Sequence, residues 1–329
     1  MKVSKSWLKE LVDLKIPMKE VERLISLRTI GTKEITDDFI ELDMKGYNRA
    51  DLLSLRGIAR EVAAITDSSV NFTDSERFND LNHFNKLNVK VEESNLCPVY
   101  CVAKIEGLKV GPSNSDWAKK LEDSGIRTIN NVADVTNLTM LEYGQPMHAF
   151  DTEKVNEEHI VVRLATKGET LQTLDGKNRK LDSTDLLIAD PKKPLGIAGV
   201  MGGKDSEVSN STTSILLEAA IFDPISIRRT SQRHGLHSEA SKRFQHGLTK
   251  TNLLQALSAA IKMYESFGGK LTAITLNGDL EDRLKTVRLT HQKVSNLIGI
   301  EIPPEQVKSS LEKLGFSLGV VSDPPPRWN

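Results

Sequence analysis

The sequence predicts an α+β protein of more than one domain: a small N-terminal α/β module, a central mixed-sheet module with flanking helices, and the start of a helical C-terminal module. Three observations carry this. At 329 residues the chain is long enough for two or three cores. Strand-type runs cluster between Pro98 and Ile221, while helical periodicity prevails before and after them. Two polar, charged stretches, at 67–86 and 280–288, separate these regions and read as linkers.

Apolar residues at 38% and charged ones at 27% fit a soluble globular protein. A formal net charge of -1 gives no global pull toward nucleic acid, so any RNA contact must come from local patches. No run approaches the roughly 20 apolar residues of a membrane span. The N-terminus, MKVSKSWLKELVDL, is amphipathic and carries acids, unlike a signal or transit peptide. Cys97 and Cys101 read as lying on one strand, on the same face but too far apart for easy bridging. Two ligands do not make a zinc site, so buried free thiols and a reducing cytoplasm are expected.

Residues 1–30 read as two helices. Trp7, Leu8, Leu11 and Val12 form one apolar stripe, and Pro17 opens a second helix with Val21, Leu24 and Ile25 inside. FIELDM (39–44) alternates like a strand. A turn then leads to Asp51 and a long helix ending at Thr66, with Arg56 and Arg60 on a solvated or salt-bridged face. PVYCVAKIEGLKV (98–110) is a strand, and a short helix begins at Asp116. The pair Asn130 and Asn131 precedes a further helix, and a Gly144-Gln145-Pro146 break closes it and presents His148 on an extended segment.

HIVVRLA (159–165) and DLLIAD (185–190) read as strands, and residues 170–181 as a hairpin around Asp175-Gly176. LGIAGVMGG (195–203) and SILLEAA (214–220) are apolar runs of buried-strand length. Pro224 opens a helix through Arg233. A turn and helix follow in RHGLHSEASKRFQHG (233–247), then a long amphipathic helix before Gly268-Gly269 and the strand LTAITLNGD (271–279). Helices at 291–298 and 304–316 precede a proline-rich end, VSDPPPRWN (321–329), which reads like a domain cut short.

Polar side chains at breaks between rigid elements commonly build sites, so the stretch Gly125 to Asp151 and the cluster Arg233 to Gly247 are expected to face each other across a pocket. The glycines Gly196, Gly199, Gly202 and Gly203 lack the strand-loop-helix context and the Lys-Ser/Thr ending of a phosphate loop. They read instead as places of close backbone approach. His148 alone would more often be structural. Glu218 is more telling, because it interrupts an otherwise fully buried run. A carboxylate there costs several kcal/mol unless it meets an arginine, a backbone amide pair or a ligand donor. Arg228, Arg229, Arg233, Lys242 and Arg243, beside His234, His237 and Ser238, read either as a solvated face or as contacts to an anionic or polar partner. No GxSxG elbow, reactive-cysteine context or HExxH helix is present, which disfavours a covalent hydrolase or zinc peptidase.

Taken together, GIRTINNVADVTN, LEYGQPMHAFD, GIAGVMGG, ILLEAAIFDPISIRRTSQRHGLHSEASKRFQHG and YNRADLLSLRGIAREVAAIT resemble, in order, the beta subunit of bacterial phenylalanyl-tRNA synthetases. The resemblance implies an N-terminal module at 1–88, a central editing module at 89–280, and the start of a helix-rich module at 281–329. It further implies hydrolysis of tyrosine mischarged on tRNA(Phe) by attack of an ordered water. A phenylalanine pocket rejects an added hydroxyl weakly, and a second site that binds that hydroxyl discriminates well.

By resemblance, Glu218 accepts from the tyrosine phenol and His148 places the water or the ester. Arg127, Asn130 and Asn131 line the site, Gly199 and Gly202 let backbone come close, and Ser238 and Ala240 shape the pocket floor. The implied partners are a catalytic alpha subunit, in a heterotetramer of two alpha and two beta chains, and tRNA(Phe). No membrane is involved, and the implied location is the cytoplasm. ATP and magnesium belong to the whole synthetase only; no cofactor and no metal are expected in this chain.

The sequence departs from the family at Ser238, where threonine is common, and at His246, where arginine is usual. The usual oligonucleotide-binding insertion is replaced by GTKEITDD (31–38). The catalytic-fold-like domain and its acidic magnesium ligands would lie beyond Asn329, so a fragment, a split gene product or a truncated chain is expected. A different class of function, a structural or tRNA-binding module whose editing has lapsed, would show as capture of an alpha subunit without deacylation.

Overall fold

A computed structural model describes residues 1–72, 83–281 and 285–319. The N-terminal part opens with β1 (Lys2–Ser4), α1 (Lys5–Leu11), β2 (Val12–Asp13) and α2 (Met18–Arg28). Ser4 caps α1 by accepting from the Trp7 amide, and Pro17 precedes the first turn of α2. β3 (Thr32–Ile35) and β4 (Phe39–Leu42) then form a hairpin, giving a three-stranded sheet in the order β1-β4-β3. Sequence reading missed β3, whose TKEI is largely exposed and lacks an apolar alternation. A single 3-10 turn leads to α3 (Leu55–Thr66), capped by Ser54 rather than Asp51, and β5 (Ser69–Val70) pairs with β2.

The central part contributes β6 (Val89–Val91), β7 (Val99–Glu106), α4 (Ser115–Asp123), α5 (Asn131–Tyr143), β8 (Met147–Asp151), β9 (Ile160–Leu164), β10 (Thr170–Gln172) and β11 (Asn178–Lys180). There follow β12 (Leu186–Ala189), β13 (Pro194–Ile197), β14 (Met201–Gly202), β15 (Ser214–Ile221), α6 (Pro224–His234), α7 (Glu239–Phe244), α8 (Lys250–Glu265) and β16 (Lys270–Gly278). The strands form a four-stranded antiparallel sheet, β16-β7-β15-β8, and a five-stranded mixed sheet, β14-β13-β12-β9-β6, in which β6 and β9 run parallel. The architecture is α+β.

One core lies between the two sheets. Tyr100, Val102, Phe150, Leu216 and Ala220 meet Ile160, Val162, Leu186, Ile188 and Ile197 there. A second core lies on the far face of the four-stranded sheet, where α5 and α8 pack Val132, Val135, Leu253, Leu257 and Tyr264 against Cys101, Ala103, Leu217 and Ala219. With both faces covered, β7 and β15 are apolar nearly throughout instead of alternating. The two cysteines are free and buried, but on opposite faces: Cys97 precedes β7 and joins the inter-sheet core, whereas Cys101 faces the helices. The same-face expectation fails because the strand begins only at Val99. Burial pushes the Cys101 thiol up to about 12.

The third core belongs to residues 1–72 but takes in Leu121, Leu138 and Leu141 from α4 and α5, so hydrophobic packing is continuous across position 88. Beyond β16, α9 (His291–Ile298) and α10 (Pro304–Lys313) bury no residue. Lys313 Nζ reaches Asp67 Oδ1 at 2.6 Å. Most of the 67–86 linker (73–82), three residues of the 280–288 linker (282–284) and the whole VSDPPPRWN end lie outside the described residues.

Candidate functional site

The site begins with how α5 ends. The helix stops at Gly144, and Gln145, fully buried, donates from Nε2 to Ala220 O at 3.0 Å, which ties the break to β15. That tie fixes the register of β8, in which His148 stands directly opposite Glu218. Side chains opposite each other in an antiparallel pair share one face, with Cβ atoms ~5 Å apart. That face looks toward the five-stranded sheet, where the chain Gly196–Gly202 lines a cavity of about 230 Å³. A space of this size suits one amino-acid side chain rather than a larger ligand.

Glu218 is buried at the cavity wall, and its partner is neither an arginine nor a pair of backbone amides. Tyr100, on the same face of β7, donates its hydroxyl to Glu218 Oε2 at 2.8 Å. Burial pushes the Glu218 carboxyl up to about 7, against the opposing pull of the Tyr100 hydrogen bond. Burial and the neighbouring Glu218 raise the Tyr100 phenol well above its ordinary range, so it stays a donor.

His148 packs edge-on against Phe150, with ring centroids 4.6 Å apart. Burial lowers its imidazole to about 4, partly countered by Glu207, so at neutral pH the ring is uncharged. Its Nε2 is buried with no hydrogen-bond partner. An uncharged imidazole on a residue that lines a cavity can accept a proton from water held beside it.

The glycine-rich run supplies the opposite wall by close approach. A Cβ on Gly202 would lie 2.5 Å from His148 Cε1 and 2.7 Å from Nε2. Gly199 adopts φ 64°, and a side chain there would meet Phe222 and Ile227 at 2.9 Å. No strand-loop-helix phosphate site is formed; β13 and β14 simply pair as a tight hairpin. Ser238 closes the floor. It caps α7 by accepting from the Ser241 amide at 3.0 Å and donates to Val200 O at 2.8 Å, which stitches α7 to the glycine-rich run. Ala240 completes the lining. At its other end, α7 carries Arg243, fully buried, which donates from Nε to Leu53 O at 3.0 Å and from Nη1 to Glu239 at 2.9 Å.

His148, Gly199, Gly202, Glu218, Ser238 and Ala240 therefore come together around one cavity. Arg127, Asn130 and Asn131 do not join them. Asn130 caps α5 by accepting from the Ala133 amide, and buried Asn131 braces the 109–111 loop by accepting from Gly111 N and donating to Lys109 O. Arg127 is exposed in the loop ahead of them. Both asparagines stand at the start of a 13-residue helix whose far end serves the cavity, a distance of ~20 Å along its axis.

The basic cluster also divides. Arg228 and Arg229 are exposed on α6. Arg233 instead pairs with fully buried Asp185, which His234 Nε2 approaches at 2.7 Å and Thr230 Oγ1 at 3.1 Å. Lys242 pairs with Glu239 at 2.6 Å on the surface of α7. Tyr100 is the site residue that sequence reading passed over. The signal was present, since a buried tyrosine needs a partner for its hydroxyl, and the nearest strand carries a buried acid.

Among the described residues, no group of three or more His, Cys, Asp or Glu side chains could hold a metal ion, and no helix is long and apolar enough to cross a membrane.

The B3/4 domain family profile matches residues 96–269. The chain is 40% identical to the phenylalanine-tRNA ligase beta subunit of Synechococcus sp. (strain JA-3-3Ab), over 88% of this chain and 36% of that protein. It is 38% identical to the corresponding subunit of Latilactobacillus sakei subsp. sakei (strain 23K), over 90% and 38%, and 41% identical to that of Geobacter metallireducens, over 83% and 35%. It thus spans about a third of the length of the curated relatives it matches. A crystal structure of an N-terminal fragment of the phenylalanyl-tRNA synthetase beta subunit from Pyrococcus horikoshii aligns over 98% of this chain and 90% of that one, at 18% identity and a TM-score of 0.46. Because the profile takes in more than half of the chain and every residue around the cavity, the chain belongs to the B3/4 domain family, and most of its length is related to phenylalanine-tRNA ligase beta subunits.

Proposed function

We propose that this chain is the editing-bearing portion of a phenylalanine-tRNA ligase beta subunit and that its cavity hydrolyses tyrosine wrongly esterified to tRNA(Phe). One observation carries the reading. A buried carboxyl and an uncharged, unpartnered imidazole stand opposite each other in strand register, on the wall of a cavity sized for one side chain. The relatives are phenylalanine-tRNA ligase beta subunits by name, which supports an aminoacyl ester of tRNA(Phe) as the ligand class.

In this reading the ring of the misacylated amino acid enters the cavity, and its hydroxyl meets Glu218. A bare phenyl ring would leave the carboxyl oxygen not held by Tyr100 without a ligand partner, which is how a site built for a hydroxyl rejects its absence. Water held near His148 attacks the ester carbonyl. A C–O bond forms from the water, the ester C–O bond breaks, and the proton released by the water passes by way of the imidazole to the departing ribose hydroxyl. The products are tyrosine and free tRNA. Backbone amides beside the cavity would stabilise the oxyanion. Arg228 and Arg229, exposed beyond the cavity, are candidate phosphate contacts for the tRNA, with Lys242 a weaker one. A catalytic alpha subunit is the proposed partner, and ATP and magnesium serve the assembled enzyme only.

The experiment is deacylation of tyrosyl-tRNA(Phe) and phenylalanyl-tRNA(Phe) with the purified chain. Faster loss of tyrosine than of phenylalanine is expected. Rates equal to those without protein would falsify the hydrolase reading, and capture of an alpha subunit together with such rates would favour a structural role.

A further inference from the structure

Glu218 has two oxygens, and among the described residues only one of them, Oε2, has a hydrogen-bond partner. Tyr100 is fully buried and cannot reach a ligand itself, yet its hydroxyl sits 2.8 Å from Oε2. Three strands fix the geometry: Glu218 stands opposite His148 on β8 and opposite Val102 on β7, while Tyr100 is opposite Ala220, two residues along the same face. A carboxyl on the wall of a cavity could otherwise rotate either oxygen inward. With Oε2 held by the phenol, Oε1 is the oxygen left for the cavity.

We propose that Tyr100 is a positioning residue: its hydroxyl holds Oε2 so that Oε1 faces the ligand, and this sets the site's preference for a phenol over a bare ring. The proposal rests on the editing reading and adds to it the origin of its selectivity.

Chemistry supports the ligand class. Tyr100 donates, so Oε2 always accepts. When Glu218 is ionised, Oε1 accepts from a ligand hydroxyl; when it is neutral, the proton resides on Oε1, which donates to that hydroxyl. A ligand hydroxyl satisfies both states because it can donate and accept. A ring without one satisfies neither. The other titratable groups near Glu218 are Cys97, ahead of β7, and His148 on β8. The facing run 196–202 brings only glycines and apolar side chains, and on α7 Glu239 and Arg243 are engaged with each other.

The test is Tyr100→Phe in the full chain, read three ways. The ratio of kcat/KM for tyrosyl over phenylalanyl esters of tRNA(Phe) is expected to fall about tenfold, the size of one lost hydrogen bond at a charged group. The midpoint of Glu218 ionisation, followed by infrared titration against Glu218→Gln, is expected to rise, because the phenol that favours the ionised form is gone. On a Glu218→Ala background, which leaves the phenol nothing to hold, Tyr100→Phe is expected to leave the ratio unmoved, as befits a residue that acts through Glu218.

A wild-type ratio and midpoint in Tyr100→Phe would overturn the proposal, as would a drop in thermal stability with no change in either. If the wild-type chain hydrolyses neither ester, the editing reading fails on its own. An unmoved infrared midpoint in Tyr100→Phe would then still overturn the role given to Tyr100.

Discussion

Gly202 lies against the imidazole of His148 so closely that a single added methyl would fall 2.7 Å from Nε2. Gly202→Ala therefore displaces the ring or opens the β13–β14 hairpin. Overpacking of this kind costs about 1–3 kcal/mol. We expect a modest loss in thermal melting and a fall of tenfold or more in tyrosyl-tRNA(Phe) deacylation. An unchanged rate in a folded Gly202→Ala protein would remove His148 from the chemistry.

Glu218→Ala removes the acceptor for the ligand hydroxyl. Loss of one such contact is worth about 1–3 kcal/mol, so the tyrosyl rate should fall by ten- to a hundredfold while the phenylalanyl rate barely moves. Comparing kcat/KM for the two esters checks this. His148→Ala should instead slow both esters alike.

The two groups also shape stability as pH changes. Glu218 titrates at about 7 in the fold against an ordinary 4.5, so the unfolded chain releases its proton first and stability falls as pH rises through that window. His148 titrates at about 4 against 6.5, so its share of stability is lost as pH falls through that window. Each effect amounts to about 3 kcal/mol at full extent. Denaturant melts should therefore show Glu218→Gln gaining on the wild type from pH 4.5 to 7 and levelling off above. A difference between the two proteins that is flat across this range contradicts the buried-acid assignment.

Ser238 both caps α7 and anchors it to Val200. Ser238→Ala should cost about 1–2 kcal/mol in urea melts, and Ser238→Thr, which keeps the hydroxyl, should cost less. Equal losses in the two variants would show that the hydroxyl is not what holds the floor in place.

Asn131→Ala offers a control. It strips two hydrogen bonds that brace the 109–111 loop, so stability should drop by about 1–3 kcal/mol. The preference for tyrosyl over phenylalanyl ester should stay at its wild-type value. A changed preference would mean the far end of α5 reaches the cavity after all.

The parts of the site legible in the sequence were those that violate their surroundings. Glu218 stands out in an apolar strand, the 196–203 glycines cluster without a phosphate-loop context, and His148 follows a helix-breaking triplet. Each anomaly survives in the fold as a cavity feature. Asn130 and Asn131 misled for a physical reason. An asparagine that caps a helix has the same short polar side chain as one that lines a pocket, and only the helix length separates the two places. Arg233 misled differently, since its partner Asp185 lies 48 residues earlier in the chain, beyond any local pattern. β3 and β6 were illegible because strands of three or four residues with polar or half-exposed faces carry almost no periodic signal. The main elements were legible, from the capped helices α1 and α5 to the buried strands β12 and β15, because burial and capping leave local marks.

Arg243 has a consequence for how the chain can be taken apart. Its guanidinium sits in the interior, with one arm on the carbonyl of Leu53 and another on Glu239 at the opening turn of α7. Excising the first 88 residues would strip that carbonyl away, along with the apolar wall formed with Leu138 and Leu141. A guanidinium with one arm unpartnered and its apolar cover gone would loosen the helix whose cap forms the cavity floor, so the amino-terminal segment acts as a keystone for a site to which it lends no side chain.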